Sequence, residues 1–309
     1  MKQRKVGVIG LGGQSAFLKA EHFPDPGETV SCSDLFFELG GKGYNQAVAC
    51  ARMGVKTLFI GAVGDDVNGK LCQDDLEAEQ IETCLILKPL PTAYAVITTV
   101  ADGENTVQVC PGAAKALTAD DLRLPAVSQT LQECDMLLLQ NELSSACLVG
   151  AVELAQEMNI PVVLNPAPAE NISVDLLKKC FLITPNYGEA KALAGFAAGQ
   201  EVSDQELCDA FYRLGLPKAV ITMGAKGALV IENGSFHHIP PFSMGKAVDT
   251  TGAGDTFNGV LVASLVSGSD LEDACRTAAV ASGIGVTRPG ARGSIPFAHE
   301  VNTALKQFL

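Results

Sequence analysis

No apolar run in this sequence is long enough to cross a membrane. Charge-free stretches reach about fourteen residues, as at 256–269, whereas a transmembrane helix needs about 20. The apolar segment after the first five residues resembles a signal peptide, but it is rich in glycine and lacks a small-x-small cleavage pattern. We therefore expect a first strand there and no membrane as a partner.

Positive charge is also scarce. Lysine and arginine number 22 against 35 acidic residues, which gives a formal net charge of −13, and no basic run interrupts it. Such a chain repels phosphate backbones and anionic lipids, so we expect no nucleic-acid partner. An anionic substrate would need local cations, metal ions or aimed backbone N–H groups.

Paired cysteines and metal-binding histidine patterns are missing too. The ten cysteines are scattered without a C-x-x-C spacing, and several lie inside apolar runs, where cysteine behaves as a small hydrophobe. The four histidines have no metal-ligand spacing, so we interpret them as structural or solvent-facing. This pattern is typical of a reducing compartment and predicts a cytoplasmic protein.

What the sequence does contain is an alternation of short apolar runs with helical segments. Such continuous apolar strands are typical of a parallel sheet covered on both faces by helices. The predicted strands are Lys5–Ile9, 57–63, 136–140, 162–165, 181–184 and 219–223. The predicted helices between them are 42–53, 146–158, 189–194 and 204–214. A strand pair at 228–232 and 235–239 and helices at 253–267 and 270–286 would follow.

Two stretches depart from this pattern. Segments 28–39 and 82–110 alternate with a period of two, the second around a turn at 101–104, as antiparallel strands do. They predict a separate small sheet, placed as a lid on the main fold. Since α/β domains of this length are common, we expect one domain over residues 1–309 with the lid inserted in it.

The strongest chemical signal is the segment Asp-Thr-Thr-Gly-Ala-Gly-Asp-Thr-Phe-Asn-Gly at 249–259. Gly252, Ala253 and Gly254 would open a helix, where free N–H groups and the helix dipole favour an anion. Asp255 would place a carboxylate beside that anion. Transfer of a phosphoryl group to an alcohol needs such a base and such fixed donors.

Two further polar segments stand at the start of predicted helices. The glycine cluster at 40–43 allows close backbone approach, and Asn45 behind it offers a donor and an acceptor for hydroxyls. Asn186 and Glu189 follow a strand end, where open α/β sheets bind ligands.

At these residues the chain resembles the ribokinase-like, or PfkB-type, family of carbohydrate kinases, and within it the ribokinase branch most closely. Segment 40–47 is similar to the N-terminal signature of the family, and 249–259 is similar to its C-terminal signature. Segments 23–29, 165–168 and 286–288 add to the similarity. The resemblance implies a three-layer α/β/α fold with a mostly parallel central sheet and a small β-sheet lid. It also implies transfer of the γ-phosphoryl group of ATP to a primary hydroxyl of a sugar.

The resemblance further implies roles for individual residues. Asp255 would be the general base, and Gly252, Ala253 and Gly254 the anion hole. The residues implied at the sugar are Gly41, Lys42, Asn45 and Glu142. Those implied at the nucleotide and Mg²⁺ are Asn186, Glu189, Thr222, Gly224 and Gly227. Those implied for an activating monovalent cation, K⁺, are Asp249, Thr251, Gly285, Arg288, Gly290 and Ser294. Family members pair through their lids, so we expect a homodimer.

One departure from the family pattern concerns the substrate. Gly13 and Ser15 stand where the ribokinase branch has an Asn and an Asp that hold sugar hydroxyls. Loss of those bonds, worth about 1–3 kcal/mol each when buried, predicts that ribose is a poor substrate. The vacated volume would suit a nucleoside, so a nucleoside or pseudouridine kinase is the alternative. A non-catalytic sugar-binding protein is a second alternative, against which the intact Asp255 argues, and a phosphatase or dehydrogenase is a remote third.

Overall fold

The chain forms two separate β-sheets, and helices cover both faces of the larger one. The computed structural model describes residues 3–101, 104–197, 199–216 and 218–308. Two residues of the predicted turn at 101–104 lie outside this part.

The bounds of the elements agree closely with those expected for the main sheet. The strands are β1 (Lys5–Ile9), β2 (Gly13–Lys19), β3 (Asp34–Gly40), β4 (Lys56–Gly64), β5 (Glu82–Lys88), β6 (Ala93–Thr99), β7 (Asn105–Cys110), β8 (Met136–Gln140), β9 (Val162–Asn165), β10 (Leu182–Ile183), β11 (Lys218–Thr222), β12 (Ala228–Glu232) and β13 (Ser235–Ile239). The helices are α1 (Lys42–Arg52), α2 (Val67–Ala78), α3 (Gly112–Lys115), α4 (Ala119–Leu122), α5 (Pro125–Leu131), α6 (Ser145–Glu157), α7 (Val174–Leu177), α8 (Tyr187–Leu193), α9 (Asp204–Arg213), α10 (Ala253–Val266), α11 (Leu271–Gly285) and α12 (Ala298–Phe308).

The large sheet has the strand order β13-β12-β11-β10-β9-β8-β1-β4-β5. The pairs from β11 to β5 along this order are parallel, and β12 is antiparallel to both of its neighbours. Successive residues of a central strand enter opposite cores. In β8, for example, Leu137 and Leu139 belong to one buried cluster and Leu138 to the other.

Each core is closed by its own layer of helices. Side chains of α1, α2, α10, α11 and α12 pack on one face of the large sheet, and those of α3 to α9 pack on the other. The continuous apolar strands of the sequence are therefore buried on both sides, as parallel strands are. The predicted three-layer α/β/α fold with a separate small sheet is confirmed.

The small sheet has the order β3-β2-β6-β7 and differs from the expected lid in two ways. Segment 82–88 is not part of it, because β5 pairs in parallel with β4 at the edge of the large sheet. An edge strand is covered less completely than a central one, and most residues of β5 are only half-buried. The second difference is β2, which the expected bounds of 28–39 and 82–110 left out and which runs parallel to β6.

Two general expectations can be compared with the described part of the chain. None of its helices combines the length and the apolar character that crossing a bilayer would require. All ten cysteines lie within it, and each is a free thiol.

Close packing of α1 against α10 joins the two glycine-rich segments of the sequence. A Cβ added to Gly259 would lie 2.5 Å from the Ala49 Cβ and 2.5 Å from the Gln46 carbonyl oxygen. Only the absence of a side chain allows this approach. One turn earlier on each helix, the same contact brings Asn45 and Gln46 against Asp255.

Candidate active site

The polar residues of the site collect where the parallel strands end. Gln140 closes β8 and Asn165 closes β9, and the N-termini of α1 and α10 converge on this edge of the sheet. The carboxyl edge of a parallel sheet is where α/β proteins bind their ligands.

Asp255 lies in the first turn of α10, and both of its carboxylate oxygens are held by amides. Asn45 donates from Nδ2 to Oδ2 over 3.0 Å, and Gln46 donates from Nε2 to Oδ1 over 3.0 Å. Burial raises the pKa of Asp255, while Lys42 and the two amides act in the opposite direction. A fixed carboxylate with a raised pKa is the arrangement that a general base requires.

A chain of buried amides holds the side chains that hold Asp255. Gln46 Nε2 also donates to Asn165 Oδ1 over 3.1 Å, and Gln46 Oε1 accepts from Gln140 Nε2 over 2.6 Å. Asn165 in turn donates to the Thr184 carbonyl over 2.7 Å. Neither Gln46 nor Gln140 is among the site residues predicted from the sequence. The position of Gln46 next to Asn45 in the glycine signature is the one feature of the sequence that points to it.

Lys42 supplies the positive charge of the site. Its backbone N–H donates to Glu142 Oε2 over 2.9 Å. Burial alone would lower the pKa of the Lys42 ammonium, but the charges of Asp255, Glu142 and Glu189 outweigh burial and raise this pKa. Burial raises the pKa of Glu142 to about 7, against the opposing effect of Lys42. One ammonium thus lies among three carboxylates, and burial raises the pKa of each of them.

Two polar atoms of the site have no partner in the described structure. Asn45 Oδ1 and Gln140 Oε1 are buried without a hydrogen bond. Buried acceptors are costly to leave unsatisfied, so such atoms indicate a missing donor. Asn45 Oδ1 belongs to a side chain that binds Asp255, whereas Gln140 Oε1 is packed against the backbone of Gly10 and Gly43.

The start of α10 is shaped to receive an anion. Gly252 is its N-cap and has a left-handed backbone with φ of 74°, which a side chain would disfavour. Gly254 is different, because its backbone is not left-handed, it is exposed, and a Cβ added there would meet nothing within 4 Å. No neighbour among the described residues requires a glycine at 254. A bare backbone at this point suits close approach of a ligand to the free N–H groups of the first turn.

A cavity of about 440 Å³ opens beside this helix start. Thr222, Gly224 and Gly227 line one side of it, and Ala253 and Gly254 line another. Three of the five predicted nucleotide residues and two of the three predicted anion-hole residues therefore line one cavity. Its lining of small and apolar side chains suits a flat base.

Asn186 and Glu189 lie near this cavity but have a local structural task as well. Asn186 is the N-cap of α8, and each of the two side chains accepts a backbone N–H of the other residue over 2.8 Å. Asn186 also bridges to Thr222. Burial raises the pKa of Glu189, against the effect of the Asn186 N–H and of Lys42.

The six residues predicted for a monovalent cation fall into two groups. Asp249 accepts from the N–H groups of Thr251 over 2.9 Å and of Gly290 over 3.0 Å. Burial alone would raise the pKa of Asp249, but these hydrogen bonds outweigh burial and lower this pKa, which favours the ionised form.

The second group surrounds Gly285, close to Ser294. A Cβ added to Gly285 would lie 3.6 Å from the Ser294 carbonyl oxygen and 3.9 Å from Thr256 Oγ1. Thr256 Oγ1 is buried and has no partner in the described structure. The Arg288 N–H donates to the Gly285 carbonyl over 2.9 Å, and the Arg288 guanidinium pairs with Glu300.

Gly13 and Ser15 lie in β2 of the small sheet. A Cβ added to Gly13 would come within 2.2 Å of the Ala93 carbonyl oxygen. No side chain fits there without a shift of the backbone, so a hydrogen-bonding residue cannot be restored by simple substitution. Ser15 is half-buried and pairs with Glu38 of β3.

Comparison with known proteins agrees with this geometry. The family model of pfkB family carbohydrate kinases matches residues 4–298. A ribokinase of Haemophilus influenzae is 35% identical over 295 residues, which are 95% of this chain and 95% of the relative.

Solved structures give the same result. The crystal structure of ribokinase from Thermotoga maritima superimposes with a TM-score of 0.88 at 35% identity, covering 97% of this chain and 99% of the other. Arabidopsis thaliana ribokinase, solved with ribose and ATP, has a TM-score of 0.88 at 26% identity and covers 99% of both chains. The family resemblance expected from the two glycine signatures is confirmed. The chain belongs to the pfkB family of carbohydrate kinases and is an ATP-dependent kinase.

Proposed function

We propose that this kinase transfers the γ-phosphoryl group of ATP to a primary hydroxyl of a sugar bound between Lys42, Asn45, Glu142 and the small sheet. The observation that carries the proposal is Asp255, fixed by Asn45 and Gln46 beside the bare backbone of Gly254. The unpartnered oxygen of Asn45, beside Asp255, supports a substrate that carries hydroxyl groups.

The chemistry assigned to the chain is proton removal and charge stabilisation. Asp255 takes the proton of the attacking hydroxyl as its oxygen forms a bond to the γ-phosphorus, and the bond to ADP breaks. The N–H groups at Gly252, Ala253 and Gly254 stabilise the charge on the transferring oxygens. The Ala253 N–H, which donates to the Thr250 carbonyl over 3.2 Å, would exchange that bond for one to the phosphoryl group. Thr222, Gly224 and Gly227 border the nucleotide.

Mg²⁺ fits the donor set at the start of α8. Carboxylate and carbonyl oxygens, as Glu189 and Asn186 offer, are the ligands that Mg²⁺ prefers. These residues would hold the ion near the phosphates, where Mg²⁺ neutralises the charge of the β- and γ-oxygens when bound.

The identity of the sugar depends on Gly13 and Ser15. Gly13 cannot carry a side chain and Ser15 offers one hydroxyl, so this side of the pocket holds few acceptors for sugar hydroxyls. We therefore expect a lower kcat/KM for ribose than for the best acceptor. A nucleoside kinase is the second candidate, because a pocket with few acceptors at Gly13 and Ser15 has little selectivity for ribose hydroxyls.

A coupled ADP-release screen over pentoses, hexoses, ketoses and nucleosides tests the proposed function. We expect sugar-dependent ADP release by the wild-type protein. The Asp255→Asn variant should bind nucleotide but lose about 10²-fold or more in kcat, because an amide cannot accept the proton. Turnover with nucleosides alone would favour the second candidate, and no acceptor-dependent ADP release would contradict both.

We also propose K⁺ activation through the ionised Asp249 and the oxygens around Gly285 and Ser294. The unpartnered Thr256 Oγ1 and the neighbouring oxygens of Ser294 suit a hard cation. A bound cation would order the loop that packs against the start of α10. Rates in strictly K⁺-free buffer with Mg²⁺ should fall severalfold. Equal rates with and without K⁺ would contradict the assignment.

The small sheet supports a homodimer. Its exposed apolar side chains are Leu35, Phe36, Phe37, Val107 and Val109. A four-stranded sheet on the surface cannot bury both of its faces alone, and a second copy of the lid would cover the apolar side chains of one face. Light scattering at micromolar concentration should give the mass of two chains. A monomer mass would be the contrary result.

A further inference from the structure

Glu38, in the small sheet, contacts the loop that packs on the start of α10. Its carboxylate accepts the Ala291 N–H at Oε2 over 3.0 Å and the Gly293 N–H at Oε1 over 2.8 Å. The two residues that it binds are more than 250 positions away in the chain, at separations of 253 and 255. This contact joins the small sheet to the C-terminal loop.

The loop bound by Glu38 touches the proposed anion hole. A Cβ added to Gly252 would lie 3.0 Å from the Ala291 Cα and 3.2 Å from the Ala291 carbonyl oxygen. Ala291 is buried, at 8% exposure, and its carbonyl also accepts from Ser294 Oγ over 2.8 Å. The position of Ala291 therefore limits where Gly252 can lie.

Other side chains hold the two ends of this loop. Asp249 binds the Gly290 N–H at one end. At the other end Arg52 donates to the carbonyls of Arg292 over 3.2 Å and Ile295 over 2.6 Å. Loss of Glu38 would leave these anchors in place, together with the ion pairs of Arg292 to Asp75 and Glu79. It would remove the acceptor of the Ala291 and Gly293 N–H groups.

We infer that Glu38 is a positioning residue for phosphoryl transfer, which fixes Ala291 against Gly252 and so fixes the N–H groups at the start of α10. The inference rests on the proposed role of Gly252, Ala253 and Gly254 as the anion hole. A carboxylate is suited to this task because it accepts two N–H groups at once through charge-assisted bonds. Without it, the buried Ala291 N–H loses its partner, which is costly.

The nucleotide cavity predicts how the effect divides between kcat and KM. Its lining includes Ala253 and Gly254 but none of residues 290–293. Loss of the two Glu38 hydrogen bonds should thus shift the N–H groups that face the transferring oxygens. Binding of the nucleotide base should stay unchanged. A mutation that removes an interaction made in the transition state lowers kcat, whereas one that removes uniform binding raises KM.

The test compares Glu38→Ala and Glu38→Gln with Asp34→Ala as the matched control. Asp34 is an exposed carboxylate on the same strand, and in the described part of the chain it accepts from the N–H of the adjacent Leu35. Glu38→Ala should lower kcat by about tenfold, because a misplacement of about 1 Å can cost up to 10²-fold in rate. KM for ATP should stay unchanged. Glu38→Gln, which keeps one acceptor oxygen, should lose less and should fold even if Glu38→Ala does not.

Hydrogen exchange provides a readout that does not need turnover. Amides of the segment 290–295 should exchange faster in both Glu38 variants and at the wild-type rate in Asp34→Ala. Wild-type kcat in the Glu38 variants, a rise in KM alone, unchanged exchange, or an equal loss in Asp34→Ala would each overturn the inference. Because exchange is measured without a sugar, its failure is distinguishable from failure of the proposed function.

Discussion

The contact between α1 and α10 is the constraint on which the site depends. Gly259 lets the backbone of α10 approach Ala49 and Gln46, and Cys50 Sγ donates to the Gly259 carbonyl over 3.2 Å. One turn earlier, this spacing places Asn45 and Gln46 within hydrogen-bond distance of Asp255. A side chain at 259 would separate the helices, and the base would lose the amides that orient it.

The local charges of the site explain how a protein with a large negative net charge can bind a phosphoryl group. The net charge of −13 opposes binding of an anion. Against it stand Lys42, whose charged form is favoured by three carboxylates, and the start of α10 with its free N–H groups. Burial meanwhile raises the pKa values of Glu142 and Asp255, against the opposing effect of Lys42. The attraction is therefore confined to one edge of the sheet.

Local patterns predicted the main sheet, the order of its helices and the two glycine segments, because burial on both faces leaves continuous apolar runs. Local patterns could not assign an edge strand to its sheet. The segment of β5 was expected in the lid, but β5 pairs with β4. The glycine-led β2 has too weak a pattern to be read as a strand. Contacts between residues far apart in the sequence could not be predicted either. Gln46 and Gln140 are 94 residues apart, Glu38 and Ala291 are 253 apart, and no periodicity links such positions.

Phosphoryl transfer at the start of α10, where Gly254 leaves the backbone uncovered, is tested most directly by Gly254→Ala. The added methyl group meets no protein atom within 4 Å, and alanine favours a helix over glycine by about 0.5–1 kcal/mol. The account predicts an unchanged or higher melting temperature together with a loss in kcat on the order of 10², because the methyl group would occupy the approach to the N–H donors. Wild-type kcat in a stably folded Gly254→Ala protein would contradict it.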